Sequence, residues 1–189
     1  MSAAPTVVAQ RQERLVARVD AVVLAFTRLW TLPLLARGII YSGMPMLAPI
    51  LKTHGHTLLA RGIYDGYRLV CHQRPERSFH LYGQKMAFCE RDLAIYGTAT
   101  LLLLGYAIVR LRWQPRALDM RWILLLALPM ALDGGTQLIG LRESTWELRV
   151  VTGALFSIGV ALFALPHLDR GFADVAAAIH ARQEQALRA

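Results

Sequence analysis

The sequence predicts an all-α fold, a bundle of four transmembrane helices. Three observations carry that prediction. Of the 189 residues, 55% are hydrophobic. Mean hydropathy is +0.37, high for a soluble globule. Three long apolar runs, Leu93 to Val109, Trp122 to Leu141 with the single acid Asp133, and Val150 to Leu168, approach the roughly 20 residues that a helix needs to cross about 30 Å of hydrocarbon. A charge-free window of about 19 residues is mainly a membrane signal. A soluble bundle of unusually apolar helices is the alternative.

Taken in order, residues 1–6 are expected to be disordered. Residues 7–28 read as an amphipathic helix, with Val8, Leu15, Val19, Val22, Val23 and Phe26 on one stripe and Arg11, Arg14 and Arg18 on another face. Such a helix suits the headgroup plane of an anionic leaflet, or serves as a solvated lead-in. Its charges and the lack of a compact apolar core argue against a cleaved signal peptide. The membrane domain covers 29–168, with spans at about 29–51, 93–111, 122–141 and 150–168. The first span carries Arg37, near enough to one end to snorkel, and Pro33, Pro45 and Pro49. These prolines predict a kinked or broken helix, tolerable where neighbours satisfy the freed carbonyls. Residues 52–92 form a long outer loop with a short helix at Leu58 to Val70. Residues 110–121 form a basic loop, and Glu143 to Trp146 a tight turn. The tail, 169–189, is alanine-rich, helical and peripheral.

Four spans place both termini and the 110–121 loop on one side. That side holds eleven lysines and arginines against nine on the other. The positive-inside rule therefore puts both termini in the cytoplasm and the chain in the plasma membrane. The outer loop then faces outward, and its arginines run against the rule. The net charge of +8 is spread over both faces. Without an aromatic-interleaved basic platform it does not point to nucleic acid. Membrane lipids, a phosphorylated ligand or other membrane-protein subunits are the expected partners.

Topology brings four polar pieces to the outward end. They are Cys71-His72-Gln73-Arg74 with Glu76-Arg77-Ser78; Cys89, Arg91, Asp92 and Tyr96; Asp133-Gly134-Gly135-Thr136-Gln137; and Arg142, Ser144, Thr145, Arg149 and Thr152. Polar groups this dense beside a bilayer are costly unless something uses them. Asp133 follows eleven uncharged residues. It must face the bundle interior and either pair with a cation, with Arg142 and Arg91 as candidates, or hold a proton. It is a candidate general base, as is His72; a structural ion pair fixing helix register is the alternative. Arg74, Arg77, Arg91, Arg142 and Arg149, with Ser78, Thr136 and Gln137, are candidate ligand-binding residues, because guanidinium forks and hydroxyls suit phosphate. Headgroup anchoring would use the same residues. Gly134-Gly135 permits close approach or local unwinding beside the acid.

The two cysteines leave three readings open. On an oxidising face, Cys71 and Cys89 can form a disulfide that staples the loop. Alternatively Cys71, His72 and Cys89, with His80, Asp92 or Asp133 as a fourth ligand, can hold zinc or iron. Free thiols are the third reading. There is no CxxC pair, no Walker loop, no GxSxG elbow and no HExxH.

Cys71-His72-Gln73 with Glu76-Arg77-Ser78, Cys89 and Arg91 with Ile95-Tyr96-Gly97, Asp133-Gly134 with Thr136-Gln137, and Arg142, Ser144, Arg149 and Thr152-Gly153 occur in that order. Together they resemble the family called domain of unknown function 2085, a group of predicted bacterial and archaeal membrane proteins. The likeness runs from about Leu29 to Leu168 and includes Met44 to Pro49. It implies that the outward polar cluster is shared by the fold, and it supplies no reaction or substrate. Three functions are compatible with these residues. One is a membrane enzyme or binding protein for an anionic, phosphorylated or lipid-linked ligand, with metal assistance. The second is an accessory subunit of a membrane complex, with a disulfide-stapled loop and an ion-paired core. The third is a thiol redox or quinone-interacting protein.

Overall fold

The computed structural model describes residues 7–188, with side chains from Gln10 onward. The disorder expected for residues 1–6 lies outside the described residues. The fold is all-α apart from one small hairpin. The elements are α1 (Val7–Leu29), α2 (Thr31–Thr53), α3 (Thr57–Tyr67), a 3-10 turn (Pro75–Arg77), β1 (His80–Leu81), β2 (Gln84–Lys85), α4 (Glu90–Val109), α5 (Met120–Leu138) and α6 (Trp146–Arg188).

The chain divides into two units. The smaller joins the residues up to Trp30 with those from His167 onward. In it α1 runs antiparallel to the end of α6. Asp20 accepts hydrogen bonds from Arg182 and Gln183. Phe26 meets Phe172 edge-on, with ring centroids 5.5 Å apart. Trp30 Nε1 donates to Asp169 Oδ1 at 3.1 Å. The N-terminal helix and the tail, separate segments in the sequence reading, thus cover one another. Leu15, Val19, Val22 and Phe26 remain exposed.

The larger unit, Thr31–Pro166, holds the rest. Among the described residues three helices are long and apolar enough to cross a membrane: α2, α4 and α6. Helix α5 falls short of that standard because Arg121, Asp133 and Gln137 dilute its leucines. Outward-facing Ile39, Ile40, Leu101, Ile108, Leu124, Leu128 and Leu132 are all more than half exposed, as lipid-facing side chains would be.

Small residues let the helices approach. A Cβ on Gly38 would meet Thr100 of α4, one on Gly153 of α6 would lie 3.0 Å from the Arg91 carbonyl of α4, and one on Gly159 would meet Leu126 of α5. Ser157 Oγ adds a 2.8 Å hydrogen bond to the Ile95 carbonyl.

Four prolines, Pro45, Pro49, Pro129 and Pro166, lie inside helices, and each removes a donor from the i→i−4 ladder. For three of them another segment supplies the missing hydrogen. Pro45 leaves the Tyr41 carbonyl open, and Tyr67 Oη donates to it at 2.8 Å. Pro49 leaves the Pro45 carbonyl open, and the Ala87 N–H donates at 3.1 Å. Pro166 leaves the Leu162 carbonyl open, and the Leu118 N–H donates, again at 3.1 Å. So α2 continues as one helix through Pro45 and Pro49 instead of breaking, and α6 continues through Pro166 to Arg188.

The connection between α2 and α4 folds against α2. Its core is Ala48, Tyr67, Cys71, Ala87 and Phe88, with Tyr41 and Leu93 packed on it. Tyr41, Tyr67, Phe88 and Tyr96 form an aromatic group with centroids 4.8 to 5.5 Å apart. The hairpin pairs His80 with Lys85 and Leu81 with Gln84. Its two turn residues, Tyr82 and Gly83, both have positive φ, as a type I′ turn requires.

Candidate functional site

Two polar groups form where the connection between α2 and α4 meets the helices. The first is an ion-pair network on the start of α4, the end of α5 and the start of α6. Asp133 is 3% exposed. It accepts from Arg91 of α4, from Arg142 in the α5–α6 turn, and from Ser144 Oγ at 2.9 Å. Gly134 is what admits Arg91, since a Cβ there would lie 3.0 Å from its Nη1. No atom lies within 4 Å of a Cβ on Gly135. Arg149, also buried, donates to Glu90 Oε2 at 2.8 Å and to the Ser144 carbonyl. Glu143 accepts from Arg77 and from Gln137, each at 3.0 Å. The Gln137 hydrogen bond and the Arg77 charge hold the Glu143 carboxyl below its usual range. Arg142 Nε donates to Thr136 Oγ1 at 3.1 Å.

Burying a charge is tolerable when every partner is in place, and removing one partner leaves the others stranded. Here each of Asp133, Glu90 and Glu143 has an arginine. The guanidiniums of Arg77, Arg91, Arg142 and Arg149 are correspondingly committed to protein carboxylates. Two of the acids, Glu90 and Glu143, were not singled out in the sequence, where nothing marks them as counter-ions to residues dozens of positions away.

The second group is Cys71, Cys89 and Asp92, whose ligand atoms all lie within 4.8 Å of one another. Both cysteines are free thiols. The Cys89 N–H donates to Cys71 Sγ at 3.2 Å. Cys89 caps α4, its Sγ accepting from the Asp92 N–H. A hydrogen bond from Cys89 lowers the Cys71 thiol, and the same bond, with burial, raises that of Cys89. Cys71 is thus the more acidic of the two thiols. Among the described residues Asp92 forms no ion pair, although it is half-buried.

The other expected site residues fall as follows. His72 is exposed and stands outside the thiol group, whose third member is Asp92. Cys71 and Gln73 turn inward on either side of it, with Gln73 at φ +49°. Arg74 and His80 are exposed. Ser78 is buried but spends its hydroxyl on the Arg74 carbonyl, 2.9 Å away. Arg77, Arg91, Thr136, Gln137, Arg142 and Arg149 all join the Asp133–Glu143 network.

The family described as predicted membrane protein (DUF2085) matches residues 71–163, a segment that contains both polar groups. An uncharacterised protein of Methanocaldococcus jannaschii is 43% identical over 105 residues, 55% of this chain and 67% of its own. An uncharacterised protein of Methanothermobacter thermautotrophicus is 36% identical over 104 residues, 54% of this chain and 92% of its own. No solved structure matches.

Proposed function

The chain belongs to the DUF2085 family of predicted membrane proteins, and from that premise we propose that it is a four-span membrane protein carrying a metal centre on Cys71, Cys89 and Asp92. Helix α5 is the fourth span beside α2, α4 and α6; its one deep charge, Asp133, is neutralised inside the bundle. Both termini are cytoplasmic and the centre faces outward in the plasma membrane.

The observation that carries the reading is the difference between Asp92 and its neighbours. Glu90, Asp133 and Glu143 each hold a guanidinium. Asp92 has none among the described residues, and its carboxylate stands within 4.8 Å of two sulfurs. A carboxylate and two thiols in a half-buried site lack a cation. Ligand atoms around a tetrahedral zinc lie about 3.8 Å apart, so the group needs to contract by only about 1 Å. Thiolates favour zinc or iron over magnesium or calcium. Three protein ligands leave a fourth position for water or for one atom of an anionic ligand, the arrangement of catalytic rather than purely structural zinc. The arginine network is then the frame that fixes α4, and with it Cys89 and Asp92, against α5 and α6.

Native mass spectrometry of the detergent-purified chain tests this. One zinc or iron per chain is expected, lost in Cys71→Ser, Cys89→Ser and Asp92→Asn. A chain two hydrogens lighter and free of metal would replace the metal centre with a Cys71–Cys89 disulfide. The nearness of the two sulfurs, within 4.8 Å, favours that second reading, in which an external two-electron oxidant such as a quinone or another disulfide takes up the two hydrogens as the S–S bond forms.

A further inference from the structure

A cavity of about 400 Å³ opens between the end of α2, one face of α3 and the hairpin. This is within the size range of small-ligand sites. Its charge is one-sided. Lys52 of α2, Arg61 of α3, Arg68 at its C-terminal cap and Lys85 of β2 line it, against the single acid Asp65. Asp65 is engaged only weakly, 3.8 Å from Arg68 and well exposed. Among the described residues Lys52 and Arg61 form no ion pair. Burial, reinforced by Arg68 and Lys52 and only partly offset by Cys71 and Glu76, lowers the Lys85 amine.

Gln73 supplies an independent observation. It lines the cavity and is 2% exposed. Its Nε2 donates to the Tyr64 carbonyl at 2.7 Å and its own carbonyl accepts from Lys85, while its Oε1 has no partner. An amide oxygen buried without a donor is destabilising. Its backbone also sits at φ +49°, a conformation that costs a non-glycine residue and collects at ligand sites. The cations ask for an anion, and the Gln73 oxygen asks for a hydroxyl beside it.

We propose that this cavity binds a phosphate ester that carries a neighbouring hydroxyl, with Lys52, Arg61, Arg68 and Lys85 around the phosphate and Gln73 Oε1 accepting from the hydroxyl. A lipid headgroup of the glycerol-phosphate type and a soluble sugar or glycerol phosphate share that chemistry. Leu58, Leu59 and Leu69, all more than 60% exposed on and just beyond α3, form an apolar shelf that suits a membrane interface. The site uses none of the metal-centre ligands and stands whether or not that centre holds metal.

The test uses the full chain in detergent, with lipid retention read by native mass spectrometry. The probes are phosphatidylglycerol, phosphatidylmethanol with the same charge and no hydroxyl, zwitterionic phosphatidylcholine, and free sn-glycerol 1-phosphate. Phosphatidylglycerol is expected to bind at least about tenfold more tightly than either other lipid. The Lys52→Gln/Arg61→Gln double variant, at two exposed positions, should lose that preference while its unfolding temperature without lipid and its metal content stay unchanged. Glycerol phosphate binding as tightly as the lipid would assign the site to a soluble ligand of the same chemistry. Equal retention of phosphatidylglycerol and phosphatidylmethanol, or binding indifferent to the double variant, would overturn the proposal.

Discussion

Asp133 and Arg91, 42 residues apart, meet in an ion pair that joins α5 to α4. The pair is one arm of a three-way junction, since Arg142 and Ser144 reach the same carboxylate. Three separate chain segments therefore depend on one buried charge.

Asp133→Asn keeps the shape and removes the charge. Arg91 and Arg142 lose their counter-ion, and the cost is about 2–4 kcal/mol, discounted from a fully buried pair because Arg142 is partly solvated. Thermal unfolding in detergent should show a clear drop in midpoint. An unchanged midpoint would mean that Asp133 is not the junction of the fold.

The Tyr67 hydroxyl has one structural task, to serve the carbonyl that Pro45 deprives of a donor. Tyr67→Phe should destabilise the chain by about 1–2 kcal/mol. Pro45→Ala restores the helical N–H. In the double variant the two losses should therefore not add, and a double-mutant cycle in denaturant would show coupling of about 1 kcal/mol. Strict additivity would refute the pairing.

The Glu143 carboxyl lies below its usual range first through Gln137 and then through Arg77. A depressed acid contributes stability above its unfolded pKa and loses it as pH falls through the lower, folded value. Gln137→Leu should move the Glu143 titration upward, and Arg77→Gln should do the same. Carbon-detected NMR of labelled glutamate reads the midpoint directly, and one that stays put in both variants would contradict the assignment.

Gly153 and Gly135 offer a matched contrast. Alanine at 153 would drive its Cβ to 3.0 Å from the Arg91 carbonyl, whereas alanine at 135 meets nothing within 4 Å. Gly153→Ala should cost about 1–3 kcal/mol by forcing α4 and α6 apart. Gly135→Ala should be neutral or stabilising by up to about 1 kcal/mol, through helix propensity alone. Unfolding midpoints of the two variants, measured together, decide it.

Much of the polar geometry was legible in the sequence because topology dictates it. Antiparallel helices must bring Arg91, Asp133 and Arg149 to one end, and an acid following eleven uncharged residues must be paired or protonated. The two candidate partners of Asp133, Arg91 and Arg142, both pair with it, but the pairings of Glu90 and Glu143 were not legible. Glu90 claims Arg149 across 59 positions, and Glu143 claims Arg77 across 66; charge alone cannot rank such contacts. The same limit hid the α3 cavity, whose four cations come from three elements and look like scattered surface charge when read in line. His72 attracted attention beside Cys71, yet Asp92 completes the thiol group, since inward and outward positions depend on a backbone turn at Gln73 that no residue type announces. The last span and the helical tail were read as separate segments; they form one helix, and the Leu118 N–H that serves the carbonyl left open by Pro166 lies in a distant loop.

The prolines of α2 lead further. Replacing both with alanine would give a more regular helix with a complete ladder, and no carbonyl left over for the connection that follows it. Tyr67 Oη and the Ala87 N–H are held by those leftover carbonyls. Cys71 hangs from Tyr67 by its own N–H, and Cys89 lies two residues beyond Ala87. The spacing of the two sulfurs is therefore inherited from hydrogen bonds that a neighbouring helix fails to make. Perfecting that helix would set the thiols adrift.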